Sequence, residues 1–137
     1  MTWLLDTVTV SELRTARANP GLVQWADEQD SAVFFLSAIS ALELEIGVQR
    51  KERSDPQQGA LLRRWLDGVA LPAFRDRILP FDLKAARLTA GTHIPDPRPE
   101  RDAMIAGTAL AHGLTVVTRN TKDFEPMGVP VLNPWTT

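Results

Sequence analysis

Apolar residues along this chain follow two rhythms: short unbroken runs, and longer stretches in which they recur every three or four positions. The first rhythm marks strands buried on both faces of a parallel sheet; the second marks amphipathic helices. Trp3-Leu4-Leu5 is a short run that stops abruptly at Asp6, which predicts a central strand with a carboxylate at its end. Val33 to Leu36 predicts a second strand, Ile78 to Phe81 a short third one and Thr115 to Thr118 a fourth. Val129 to Leu132 predicts an edge strand, because it contains Pro130.

Helical patterns fill the intervals. Ser11 to Ala18 predicts a short helix, and Asn19-Pro20 supplies the cap and first position of another reaching about Gln29. Ser40-Ala41-Leu42-Glu43 has the form of a capping box opening a helix to about Arg53. Leu61, Leu62, Trp65, Leu66 and Val69 predict one long amphipathic helix from Gln57 to about Phe74. Asp82 caps a helix through about Ala90, and Asp102 to His112 forms another that ends on Gly113. Between them, Thr92 to Glu100 carries prolines at 95, 97 and 99, which forbid a helix and predict an exposed loop. Asn120 to Phe124 reads as a turn or short helix. Apolar strands alternating with helices predict an α/β sandwich around a mostly parallel sheet, and 137 residues suffice for a single domain.

Composition narrows the chemistry. With no cysteine, disulfides and thiolate metal sites are excluded, which fits a reducing cytoplasm. Met1 to Asp6 lacks the basic region of a secretory leader, and no stretch approaches the roughly 18 apolar residues of a membrane span. Fifteen basic against 17 acidic residues give a net charge of −2, which argues against a coat protein for nucleic acid but leaves room for an enzyme touching a short RNA.

In an open parallel sheet, ligands collect beyond the carboxyl ends of the strands. Asp6 and Asp123 follow predicted strands there, while Glu43 and Asp102 stand in the first turns of predicted helices. Converging carboxylates suit Mg²⁺ or Mn²⁺, which prefer oxygen ligands; Mg²⁺ keeps several waters, so some of the four would act through water. Each acid also has a structural reading: Glu43 as partner of Ser40 in the capping box, Asp102 as a favourable charge on its helix dipole, Asp123 as a cap near Phe124. Asp6 lacks an easy one, since a carboxylate beside a buried strand is costly without a partner. His93 and His112 lack ligand spacing and read as structural, and Trp65 reads as core.

Four segments together resemble the successive motifs of PIN-domain ribonucleases, in the branch of the VapC and FitB toxins: Leu4-Leu5-Asp6-Thr7, Ser37 to Glu43, Asp102 to Ala106, and Val117 to Phe124. Gly128 to Trp135 is similar to the ending of those toxins, so the resemblance covers essentially the whole chain. It implies a PIN-like three-layer sandwich with four to five strands, and a magnesium-dependent endoribonuclease that halts translation. It also implies a homodimer held silent by a cognate antitoxin, in a heterotetramer or larger assembly. Asp6, Glu43, Asp102 and Asp123 fall on the family's acidic positions, with Thr7, Thr118 and Asn120 beside them as supporting polar residues. Arg98 and Arg101, just before Asp102, place positive charge where an RNA phosphate would approach. One position departs: the first motif commonly reads Asp-Thr-Asn, and here it reads Asp6-Thr7-Val8. A haloacid-dehalogenase phosphatase needs a second Asp where Val8 stands, and a receiver domain needs an acidic pair and a Lys that are not here. The competing expectation is a catalytically weak or inactive PIN domain that binds an antitoxin or serves a regulatory role.

Overall fold

The computed structural model describes residues 1–136. Five strands form one sheet in the order β3-β2-β1-β4-β5, and every neighbouring pair is parallel. They are β1 (Trp3–Leu5), β2 (Phe34–Ser37), β3 (Ile78–Leu79), β4 (Thr115–Val117) and β5 (Val131–Leu132). The expected mostly parallel sheet of four to five strands is thus a fully parallel sheet of five. Both outer strands have only two residues, with Pro80 directly after β3 and Pro130 directly before β5.

Side chains alternate between two cores, as strand geometry requires. Leu4, Val116 and the partly buried Phe35 and Val131 pack with Ala103, Ala106 and Ala109 of α7 (Glu100–His112). Leu5, Leu36 and Val117 pack on the opposite face with Val10, Leu44, Val48 and Leu66. Those partners come from α1 (Thr7–Arg14), α3 (Ala38–Ser54) and the helical stretch after it. Helices on both faces make the three-layer sandwich. On the first face a further helix, α6 (Leu83–Thr92), covers α7, and Gly107 allows the approach: a methyl group there would collide with Thr89. Asp82 caps α6 through Ala85 N–H, and Gly113 closes α7 in the left-handed conformation with φ of 65°, both as the sequence predicts.

Three local expectations are corrected. The first helix spans Thr7–Arg14 and not Ser11 to Ala18, because Asp6 itself is its N-cap, accepting the N–H of Thr9. Helix α3 opens one turn earlier than the Ser40–Glu43 box predicts: Ser37 is the cap and accepts the N–H of Ser40, leaving Glu43 inside the helix and free of a capping role. The long helix is interrupted, running as α4 (Pro56–Trp65), a π turn (Leu66–Ala70) and α5 (Leu71–Ala73). Pro72 has no N–H to give the carbonyl four residues back, so the ladder widens before it. The other predicted segments appear with shifted ends. Helix α2 covers Pro20–Glu28, α8 covers Thr121–Phe124, and the loop narrows to residues 93–99, with a cis peptide at Ile94-Pro95.

Candidate active site

The strand order makes β1 the turning point of the topology. The chain builds β2 and β3 outward on one side, then crosses back to place β4 and β5 on the other. Loops leaving β1 and β4 diverge here, which opens a crevice at the carboxyl edge of the sheet. Asp6 follows β1 directly and Thr118 follows β4 directly.

Asp6 is buried, with 4% of its surface exposed. Its Oδ1 accepts the Thr9 N–H at 2.9 Å and lies 2.6 Å from the Thr9 hydroxyl. The Thr118 hydroxyl lies near Asp6, where it favours the ionised form, and it accepts the N–H of Asn120 at 2.9 Å. Burial nevertheless wins and pushes the Asp6 carboxyl above its ordinary range, against the polar groups of Thr118 and Thr9 and with a small further push from the negative charge of Glu43.

Glu43 faces Asp6 from α3. Thr7 Oγ1 donates to Glu43 Oε1 at 2.6 Å, and Arg101 Nη1 stands 3.6 Å from Oε2. Asp102 comes from the first turn of α7; burial raises its pKa first, and the charges of Asp123, Glu43 and Asp6 raise it further, in that order. Asp102 thus lies within reach of the charges of the other three acids, although all four arrive from separate segments. A cavity of about 140 Å³ is lined by Asp6, Thr7, Val8, Glu43, Asp102, Ile105 and Asn120. Asp123 is exposed on α8 and lines an adjoining open cavity that shares Asn120. The structure thus gathers three of the predicted acids in one cavity and sets the fourth at its rim.

The predicted supporting residues have distinct tasks. Thr7 holds Glu43, Thr118 offers its hydroxyl beside Asp6, and Asn120 engages Thr118 through its backbone N–H while lining the cavity. Arg101 reaches the site; half-buried Arg98 instead braces the loop, donating from its backbone to His93 Nδ1 at 3.0 Å and from Nε to the Thr92 carbonyl at 3.4 Å. His93 is structural, as expected. Trp65 is only partly buried: Arg14 lies 5.6 Å over its ring, and both line a second cavity that meets the first at Thr7 and Glu43. Thr9 and Ser40 were not foreseen. Thr9 sits three residues after Asp6, the spacing of a cap and its partner, and that spacing was the available signal.

Among the described residues, neither Asp102 nor Asp123 has a salt-bridge partner, and no three His, Cys, Asp or Glu side chains already surround one ion position. The donors are all oxygen, and the charges of Asp102 and Asp123 have no basic partner, so the residues fit a hydrated hard cation that binds one or two carboxylates directly and the others through water. Among the same residues no helix is long and apolar enough to cross a membrane.

Comparison with known proteins bears on the fold and the family. Residues 3–128 match the PIN domain family. The chain is 36% identical to VapC ribonuclease Y4jK of Sinorhizobium fredii, over 96% of each protein. It is 38% identical to Toxin FitB of Neisseria gonorrhoeae, over 96% of this chain and 97% of that one. The crystal structure of FitAcB from Neisseria gonorrhoeae superposes with a TM-score of 0.90 at 35% identity, covering 99% of this chain and all of the other. The chain belongs to the PIN-domain family, in the group of the VapC and FitB toxins.

Proposed function

We propose that this protein is the toxin of a type II toxin-antitoxin pair, acting as a metal-dependent endoribonuclease at Asp6, Glu43, Asp102 and Asp123. The observation that carries the reading is the convergence of four carboxylates from separate segments at the topological turning point of the sheet, without a cation to balance Asp102 or Asp123. The relatives' names, a VapC ribonuclease and a FitB toxin, support the activity, and a 35% identical neighbour solved as FitAcB supports an antitoxin partner. A similar chain solved as FitAB bound to IR36 DNA, 33% identical, supports operator DNA as a ligand of the assembled pair. The toxin itself would act as a homodimer, within a heterotetramer or larger complex when silenced.

Asp6, Glu43 and Asp102 would hold Mg²⁺ or Mn²⁺, directly or through water, with Asp123 at the rim. When bound, such an ion acidifies a water and offsets charge on the scissile phosphate. The chain's own residues prepare that site. Thr9 fixes Asp6 from the buried side through its backbone N–H and its hydroxyl, which keeps the carboxylate oriented without a counter-cation. Thr7 fixes Glu43, and Arg101 supplies a half-exposed positive charge at the cavity mouth for an RNA phosphate. Arg98 contributes through the shape of the loop that carries Arg101.

The second reading, a PIN domain that binds its antitoxin without cutting RNA, is favoured by one residue. Val8 lines the cavity where an asparagine amide would hydrogen-bond a carboxylate or a water. Both readings meet one experiment: incubation of the purified chain with a mixed RNA pool, with Mg²⁺, with Mn²⁺ and with chelator. Internal cleavage that chelator stops, and that Asp102→Asn removes, supports the nuclease. RNA left whole with either metal, while antitoxin still binds, supports the silent module.

A further inference from the structure

We infer that Ser40 is a positioning residue for Glu43, acting through Thr7, so that one defined oxygen of Glu43 faces a divalent cation. The inference rests on the proposed metal site and adds a residue outside its acidic set. Ser40 is fully buried, at 0% exposure, in the first turn of α3. Ser40 and Glu43 are three residues apart, so they share the helix face that meets the start of α1. Ser40 Oγ lies 3.0 Å from Thr7 Oγ1, which lies 2.6 Å from Glu43 Oε1.

Thr7 has one hydroxyl proton for two neighbours. The nearer acceptor is a carboxylate, and it takes that proton, because a charged acceptor makes the shorter and stronger bond. Thr7 Oγ1 then accepts the Ser40 hydroxyl proton. A buried hydroxyl needs a partner, and Thr7 is the one within reach of Ser40. The result is a directed chain from Ser40 to Thr7 to Glu43 Oε1.

This chain assigns different tasks to the two oxygens of Glu43. Oε1 is tied to the interior. Oε2 faces Arg101, whose side chain is 49% exposed and stands at 3.6 Å, a loose surface contact that a divalent cation can replace. Ser40 thus limits rotation of a carboxylate it never touches, and Oε2 becomes the oxygen presented to the metal.

The test uses the full chain with Mn²⁺ alone as probe, reading free Mn²⁺ by electron paramagnetic resonance. Four proteins form a cycle: the parent, Ser40→Ala, Glu43→Gln and the double variant. Ser40→Ala is expected to weaken Mn²⁺ binding by roughly three- to tenfold, the scale of one lost neutral hydrogen bond. In the Glu43→Gln background the same change is expected to add nothing, since its effect travels through Glu43. Thr7→Val, made at the partly exposed end of the chain, should match the Ser40→Ala loss, and Thr7→Ser should bind within about twofold of the parent because the hydroxyl is kept. Equal losses from Ser40→Ala in both backgrounds would show a general structural role and overturn the inference. Unchanged binding in both Ser40→Ala and Thr7→Val overturns it too, yet leaves the nuclease reading intact if Glu43→Gln binds weakly. A parent chain that binds no Mn²⁺ overturns the metal site and this inference together.

Discussion

Thr9→Val removes one oxygen from the interior and replaces it with a methyl group of almost the same shape. Thr9 is fully buried, and its hydroxyl sits 2.6 Å from Asp6 Oδ1 and 3.0 Å from the carbonyl of Val117. Its single proton belongs to the nearer, charged acceptor. Losing a hydrogen bond to a charged group costs about 1.5–3 kcal/mol, and the new buried methyl returns a part of that, about 0.8 kcal/mol. A net loss of about 1–2 kcal/mol is expected at neutral pH, a fall in Tm of roughly 3–8 °C for a domain of this size. The Thr9 backbone N–H keeps its bond to Asp6, so the helix start survives. The loss should depend on pH with a definite sign. The hydroxyl lowers the pKa of Asp6 in the folded state, although burial holds that pKa above its ordinary range overall. A donor that depresses a folded carboxyl contributes stability when the carboxylate is ionised and loses it as pH falls through the folded pKa. The gap between parent and Thr9→Val should therefore be full at pH 7.5 and shrink toward pH 4, in melts recorded with chelator present. A gap of equal size at both pH values would show that the hydroxyl serves the Val117 carbonyl and not Asp6. No gap at pH 7.5 would refute the reasoning altogether.

Asp6→Asn and Asp102→Asn should each abolish RNA cleavage while the chain stays folded. Both carboxyls are raised above their ordinary pKa in the folded state, so their ionisation opposes folding above that pKa. Metal-free melts at pH 7.5 should thus equal or exceed the parent, the advantage fading in acid; a variant melting well below the parent, or cutting normally, contradicts the assignment. Val8→Asn, at a position 47% exposed on the cavity, should raise Mn²⁺ affinity or cleavage by up to about fivefold, one added hydrogen bond of about 1 kcal/mol, as read by titration; a drop would mean the cavity is packed around valine. Arg101→Ala should weaken RNA binding and flatten its salt dependence more than Arg98→Ala, because only Arg101 reaches the acids; equal effects in filter binding would refute that division. Gly107→Ala should cost about 1–3 kcal/mol in a denaturant melt by forcing α7 from Thr89.

The architecture was legible because buried strands and amphipathic helices write different rhythms, and here each strand stands alone between polar breaks. The acids were legible from their places after strands and at helix starts. What escaped were the local contests. Ser37 and Ser40 both precede residues suited to a first turn, and the spacing from Ser40 to Glu43 matches a capping box. The decision belongs to tertiary structure: Ser37 is the last residue of β2, paired with Leu79, so the helix starts immediately after it and Glu43 is released toward Thr7. In the same way Thr7, Val8, Thr9 and Val10 read as poor helix formers by themselves, because branched side chains lose freedom in a helix. The Asp6 cap and the burial of Val10 outweigh that preference. The tie between Thr9 and Asp6 was hidden for the same reason, since it exists only once the helix begins there.

The two-residue outer strands also bear on how this protein meets other chains. An exposed strand usually invites a partner to lengthen the sheet through backbone pairing, the route to both peptide capture and fibril growth. Here either border offers a very short length of ladder, and Pro80 and Pro130 stand beside it without an N–H to donate. A chain laid against such a border finds too few backbone partners to register. Recognition must therefore be read from side chains, through grooves and helix faces, and a crowded cell full of unfolded segments gains no template from this sheet.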